Sequence, residues 1–333
     1  MNRIRILDST LRDGGYINNW KFGRENIISI IGRLEQSNVE IIELGFMRDE
    51  VYVPDRTVFS DMEDLSVIMQ KKKDGVHYAV FIGMDHDYPL EKLPEKKDAY
   101  ADIIRYGFWG RKLDEAYKYA EQIVNLGYDL FVQPTRVEQY TTELFRDMVR
   151  KFSRLSPKAI YIVDTFGLLT KEDVEKYALI ADDNMPRETA LGYHAHNNMQ
   201  QAFANAVHLA ELDMDRQLII DSSIFGIGRG AGNLCTEIWM QYLNGRRGGF
   251  AYYHIFPCYQ VYDSCLHEIY EKSPWGYSPA YLLTAVYKCN PNYAKYFLNH
   301  NFSIVQMDAV LRRIPEKERH IFSEDIIKRA VGC

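Results

Sequence analysis

A (β/α)8 barrel, the TIM-barrel arrangement, with a small helical C-terminal domain is the fold this chain predicts. Eight strand-like stretches alternate with helix-like ones across residues 1–245. The polar residues able to carry chemistry fall just after the first, seventh and eighth of those strands. First and last strands are neighbours in a closed barrel, and active sites sit at the strand C-termini, which favours the barrel over a doubly wound open sheet. Near residue 245 the texture changes, and residues 246–333 read as a separate helical unit.

The strand candidates are Arg3–Leu7, Val39–Phe46, His77–Met84, Ala101–Tyr106, Asp129–Gln133, Ala159–Val163, Ala190–His194 and Gln217–Asp221. Between them the apolar residues switch to helical spacing. Ile27, Ile30, Ile31 and Leu34 follow i, i+3, i+4, i+7, as do Ala116, Tyr119, Ala120 and Ile123, and then Phe203, Ala206, Val207 and Ala210. Ser60 with Glu63 fits a capping box, Thr170 caps a helix carrying Val174, Tyr177 and Ala178, and Gly127 fits a helix stop. Asn-Gly-Arg-Arg-Gly-Gly at 244–249 reads as a linker. The chain beyond it is dense in aromatics, among them Tyr252, Tyr253, Phe256, Tyr277, Tyr281 and Phe297.

Composition narrows the function classes without choosing one. The 333 residues exceed the roughly 250 of a typical barrel. A net charge of −6 supplies no electrostatic reason to expect nucleic acid or an anionic membrane. No apolar run approaches the ~20 residues that span a bilayer, and the first residues enter a strand with no apolar leader. The five cysteines (235, 258, 265, 289 and 333) are odd in number with no C-x-x-C spacing, which reads as reduced thiols in a cytoplasmic protein.

Three motifs carry the chemistry. Residues 191–198 read Leu-Gly-Tyr-His-Ala-His-Asn-Asn, so His194 and His196 lie on one face of a strand end. Two such imidazoles suit a divalent metal if an oxygen ligand arrives from elsewhere; the alternative is a pair of half-buried, hydrogen-bonded histidines. Residues 4–16 read Ile-Arg-Ile-Leu-Asp-Ser-Thr-Leu-Arg-Asp-Gly-Gly-Tyr, a first strand with a polar run at its C-terminal end. Residues 226–233 read Gly-Ile-Gly-Arg-Gly-Ala-Gly-Asn, whose spacing is not the G-x-G-x-x-G of a dinucleotide loop.

Together, in this order, the motifs resemble the metal-dependent pyruvate aldolase and HMG-CoA-lyase-like superfamily, most of all the 4-hydroxy-2-oxovalerate aldolases. The resemblance covers roughly the first 240 residues. It implies a carbon–carbon lyase acting on a 2-oxo acid through an enolate whose developing oxygen charge a divalent metal stabilises. It further implies Asp13, His194 and His196 as ligands, with Asn233 as a further ligand or close neighbour, as in HMG-CoA lyases. Such mixed ligands suit Mn2+, Mg2+, Co2+ or Zn2+ and do not by themselves name the ion; Mn2+ is the one expected. Arg12 is implied in enolate stabilisation, its fork being suited to carboxylate or enolate oxygens. Glu43 and Asp164, at strand C-termini, are placed to orient a ligating histidine or a metal-bound water, the alternative being ordinary barrel-mouth hydrogen bonding or turn formation. The resembling aldolases hand their aldehyde to an aldehyde dehydrogenase docked on the C-terminal region, so that partner, or a second copy of the chain, is expected on residues 246–333.

One departure matters. The aldolases carry a histidine after their R-D-G segment as base on the substrate hydroxyl, whereas here Gly15-Tyr16 stands there. The Glu-Gln that follows R-D-G in Claisen-condensing relatives is absent too. Tyr16 is therefore the candidate for the proton step, with a pKa expected to be lowered by the metal and Arg12; the alternative is that Tyr16 only lines the pocket and Tyr277 or a water is the base. The alternatives are an acyl-CoA-using Claisen synthase of the same superfamily and a degenerate barrel that only binds.

Overall fold

The computed structural model of the protein describes residues 4–69, 71–86, 88–246 and 252–332. Nine strands form one sheet: β1 (Ile4–Asp8), β2 (Ile41–Met47), β3 (Val58–Phe59), β4 (His77–Gly83), β5 (Ile103–Trp109), β6 (Asp129–Thr135), β7 (Ala159–Asp164), β8 (Ala190–Ala195) and β9 (Leu218–Ser222). All pair in parallel, and β1 pairs with both β9 and β2, which closes an eight-stranded barrel and leaves β3 outside on β2. The eight expected strands are all present; Arg3 lies outside the described residues, and the two-residue β3 was not foreseen.

Period-two alternation builds the barrel from the inside. Leu7, Ile41, Ile103, Phe131, Ala190 and Ile219 point inward and pack on one another as a floor. Two residues further along their strands come Glu43, Arg105, Gln133 and Asp221, every one nearly or wholly buried. The outward set, including Ile6, Ile42, Val80, Ile104, Val132, Ile160, Leu191 and Ile220, packs against the helices. Gly192 takes part in this filling, because a Cβ there would meet the Tyr161 ring at 2.3 Å.

The barrel helices are α1 (Gly15–Asn18), α2 (Arg24–Gln36), α3 (Leu113–Asn125), α4 (Thr142–Ser153), α5 (Lys171–Asn184), α6 (Ala202–Glu211) and α7 (Thr236–Arg246). Ile27, Ile30, Ile31 and Leu34 are the buried stripe of α2. Thr170 and Asp173 form a reciprocal capping box on α5, and Gly127 follows α3 with φ +87°. Two expectations are corrected. The cap near residue 60 belongs to Asp61, reciprocated by Asp64, on a 3-10 turn at Met62–Val67. In α6 the buried face is Ala202, Asn205, Ala206, Leu209 and Ala210, and Phe203 is 39% exposed against the edge of Trp239.

Beyond the barrel run α8 (Phe256–Val261), α9 (His267–Lys272), α10 (Pro279–Val286), α11 (Asn292–Asn299), α12 (Ile304–Arg313) and α13 (Glu324–Val331). Tyr253, Cys258, Val261, Leu266 and Trp275 join the core of the barrel, whereas Ala280 to Ala330 build their own around Tyr293, Phe297 and Leu311. Residues 247–249 of the expected linker lie outside the described residues. Among the described residues no helix is long and apolar enough to cross a membrane, and Cys235, Cys258, Cys265 and Cys289 are unbridged.

Candidate active site

At the C-terminal mouth of the barrel, one oxygen and two nitrogen ligand atoms of Asp13, His194 and His196 lie within 4.8 Å of one another, all three residues buried. β1 ends at Asp8, and the tight turn that follows returns Asp13 over the barrel axis, its N–H donating to the Ser9 carbonyl at 2.8 Å. β8 delivers His194, and His196 follows one residue past its end. The sequence motif therefore converges as expected.

The histidines are held by their inner nitrogens. His194 Nδ1 lies 2.9 Å from the Asp221 carboxylate, and His196 Nδ1 lies 3.0 Å from the Asp164 backbone carbonyl. Each carbonyl or carboxylate accepts, so Nδ1 carries the proton and Nε2 keeps its lone pair, the tautomer a metal requires. Burial pushes His194 down to about 4, against the opposing hydrogen bond from Asp221, so it is neutral at physiological pH. His196 Nε2 is buried with no hydrogen-bond partner among the described residues. Its nearest carboxylate oxygen is Asp13 Oδ2 at 3.4 Å, and a lone pair and a carboxylate facing each other in a buried site suit a cation between them.

A chain of alternating charges runs beneath the site. Asp13 accepts from Arg12 Nη1; Arg12 Nε donates to Glu43 at 2.8 Å; Arg105 Nη1 donates to the same Glu43 oxygen at 2.7 Å; and Arg105 Nη2 pairs with Asp221. Asp221 then returns the chain to His194. Burial alone would raise Asp13, but Arg12 and then His196 hold it well below the usual carboxylate range. Asp221 is likewise lowered, by Arg105 and then His194, in spite of its burial. Three carboxylates face two guanidinium groups here, so the cluster suits a cation.

Asn233 reaches the site from the glycine-rich turn. Its Nδ2 donates to Asp13 at 2.9 Å and to the Ile227 carbonyl at 3.2 Å, while its buried Oδ1 has no partner among the described residues. Gly228 makes that approach possible: a Cβ there would lie 2.3 Å from Asn233 Nδ2 and 2.8 Å from Asp13 Oδ2. The residues present thus fit a divalent ion, with Asp13, His194 Nε2 and His196 Nε2 as its nearest donors and Asn233 Oδ1 beside them.

Three expectations need correction. Glu43 orients neither histidine; it ties Arg12 to Arg105. Asp164 does orient His196, but through its backbone carbonyl, since its carboxylate accepts from the Leu168 and Leu169 N–H groups. Tyr16 packs edge-on against Trp20 with centroids 4.9 Å apart and lines the same cleft as Arg12. Among the protein groups, burial raises its pKa and outweighs the opposing charges of Arg229 and Arg12, so Arg12 alone does not lower it. Arg105 and Asp221 were not anticipated. Their signal was present, as single charges within the apolar strand runs Ile-Ile-Arg-Tyr and Leu-Ile-Ile-Asp.

Fold and site together define the class, a barrel enzyme with a carboxylate–imidazole cluster and a buried arginine at its mouth. The HMGL-like family model matches residues 110–255. A Mycobacterium tuberculosis protein named oxaloacetate decarboxylase is 22% identical over 82% of this chain and 78% of its own length. A Moorella thermoacetica protein named 4-hydroxy-2-oxovalerate aldolase is 28% identical over 76% of this chain and 74% of its own. The crystal structure of an N-terminal domain from Bacteroides vulgatus superposes with a TM-score of 0.74 at 20% identity, covering 91% of this chain and 98% of that one. Residues 110–255 thus match the HMGL-like family, and the relatives named are an aldolase and a decarboxylase, both in keeping with the motifs.

Proposed function

We propose that the protein cleaves a 4-hydroxy-2-oxo acid to pyruvate and an aldehyde, with Asp13, His194 and His196 holding a divalent ion. The observation that carries this is the convergence of those three ligands beside Arg12 on one wall of a cleft of about 850 Å3. The ion, Mn2+ by expectation with Mg2+, Co2+ and Zn2+ equally suited to this ligand set, would supply Lewis-acid polarisation of the 2-oxo group. Arg12 is fixed by Glu43 and Asp13 and by cation–π contact with Phe81 at 4.9 Å. That leaves the guanidinium preorganised for the oxygen on which charge develops as the C3–C4 bond breaks. The electron pair of that bond becomes the enolate, the 4-hydroxyl loses its proton as the aldehyde forms, and C3 takes up a proton. Tyr16, a phenol at neutral pH, is suited to donating a hydrogen bond to the substrate hydroxyl and relaying that proton, not to acting as a resting base.

A second reading is decarboxylation of a 3-carboxy-2-oxo acid, which reaches the same enolate by loss of CO2 from C3. It needs no base on a hydroxyl, and the replacement of the aldolase histidine by Gly15-Tyr16 favours it, as does the relative named oxaloacetate decarboxylase. Pyruvate release from a panel of 4-hydroxy-2-oxo acids and from oxaloacetate, with the ion restored, separates the two. Aldehyde formed in step with pyruvate supports the aldolase, CO2 formed in step with it supports the decarboxylase, and no pyruvate from any member overturns both.

The same reading assigns residues 246–333 to association, with a second copy or with an aldehyde dehydrogenase taking up the aldehyde. Phe256 and Tyr277 are 68% and 62% exposed and support it, whereas Tyr253 and Phe297 are core residues and do not.

A further inference from the structure

A second cleft of about 620 Å3 adjoins the first, and Trp109, Thr135 and Arg136 line both. Arg136 sits at their boundary with φ +61°, a backbone conformation that an ordinary residue adopts only when its surroundings impose it. Its N–H donates to Thr165 Oγ1 at 2.7 Å, and its guanidinium lies 5.6 Å from the Phe166 ring centre. Arg111 lies against Trp109 in the second cleft, where His320 from the C-terminal helices completes the wall. Across the first cleft stands Arg229, fixed by the neutral carboxamides of Asn290 and Asn292. Among the described residues, no carboxylate comes within the 4.0 Å of an ion pair with Arg111, Arg136 or Arg229. Asp85 attracts Arg136 from farther off, as Glu138 does only when ionised. Both oxygens of Glu138 are buried without a partner, and burial pushes this group up to about 8, so it is a neutral acid at pH 7.

Arg111, Arg136 and Arg229 gather around clefts whose lining carboxylates, among the described residues, are Asp13 and Asp85, neither of them ion-paired to these guanidinium groups, so an anion placed among the three is attracted. Burial, and then the charges of Arg229 and Arg111, push the Arg136 guanidinium below its usual range. The aldol cleavage proposed above uses the ion and Arg12 for the 2-oxo-acid end, which leaves Arg136 free for a group farther along the substrate.

We propose that Arg136, flanked by Arg111 and His320, is an anion subsite, and that the substrate is a 2-oxo acid bearing a second carboxylate or a phosphate on the fragment released as aldehyde. The inference rests on the aldol reading for the word substrate, and on the clefts alone for the subsite. Its consequence is that the aldehyde product is itself an anion. The C-terminal helices then contribute to specificity, through His320 and through the asparagines that position Arg229.

The test has a binding arm and a turnover arm. Binding of pentanoate, glutarate and 4-phosphonobutanoate to the manganese-loaded protein is followed by tryptophan fluorescence, for which Trp109 is a local reporter. The first probe is a monoacid, and the other two are chains of similar length ending in a second carboxylate or a phosphonate. The parent is expected to bind one of the doubly anionic probes at least roughly tenfold more tightly than pentanoate, and the tighter one tells carboxylate from phosphate. Arg136→Gln abolishes that preference, and Arg136→Lys retains part of it. In the turnover arm, Arg136→Gln raises KM for 4-hydroxy-2-oxo acids with an anionic end and leaves kcat, and the kinetics of the methyl-terminated analogue, near the parent values. Equal binding of all three probes by the parent, or a preference that survives Arg136→Gln, overturns the subsite. If the preference holds and depends on Arg136 while no 2-oxo acid is cleaved, the catalytic reading fails and the subsite stands.

Discussion

Arg12 holds two acids at once, Glu43 through Nε and Asp13 through Nη1, and a planar fork is the only side chain that reaches both in one orientation. Arg12→Lys is expected to keep the ion and to lose at least about tenfold in kcat/KM, roughly 1.4 kcal/mol of transition-state stabilisation. Unchanged pyruvate release, with metal content verified, would make Arg12 structural. Asp221 carries a comparable burden from below, since it fixes the Nδ1 proton of His194 and also pairs with Arg105. Asp221→Asn should weaken ion binding by about 10–100-fold, the usual cost of removing a ligand's orienting partner. Titration of the chelator-stripped variant with Mn2+ checks it, and parent-like affinity would show that Asp221 serves only the ion pair. At this scale the ligands were legible because they come as short contiguous motifs. Arg105, Asp221 and the true role of Glu43 were not, because their meaning depends on which strands become neighbours.

At the scale of elements, the strands were legible to within three residues at either end, since burial on both faces makes each a nearly unbroken apolar run. The helices were less so. The buried stripe of α6 lies one residue off the expected set, because Ala202, Asn205 and Leu209 fill its packed face and Phe203 is turned toward Trp239 and Tyr242. Small residues mark where elements come closest, and sequence spacing alone does not reveal that. Gly192→Ala should cost about 1–3 kcal/mol in urea unfolding, as the added methyl must displace the buried Tyr161 ring. Gly228→Ala should act on the site instead, pressing on Asn233 and Asp13 and lowering ion affinity while the barrel still folds. A variant with parent-like ion affinity would mean that the turn after β9 yields freely.

For the molecule as a whole, pH sensitivity collects at groups the barrel buries without partners. Glu138 is held in its protonated form up to about pH 8, against an ordinary value of 4.5. Between those limits the unfolded chain loses this proton while the folded chain keeps it, so stability falls as pH rises through the window. Glu138→Gln removes the proton and should flatten that fall, by an amount on the order of a few kcal/mol across the window. Identical pH dependence of unfolding in parent and variant would contradict the assignment. The division of the chain was harder to read than the barrel. The aromatic density after residue 245 serves two cores, one shared with the barrel and one around Tyr293 and Phe297, and composition does not distinguish them. The catalytic reading nevertheless depends on one cluster at the mouth of the barrel. The most direct measurement is divalent-ion content by elemental analysis of the purified parent and of His196→Ala. The expected result is about one ion per chain in the parent and almost none in the variant, since the remaining Asp13 and His194 make a poor chelate. A variant that keeps the full parent content would contradict the assignment of His196, and with it the site.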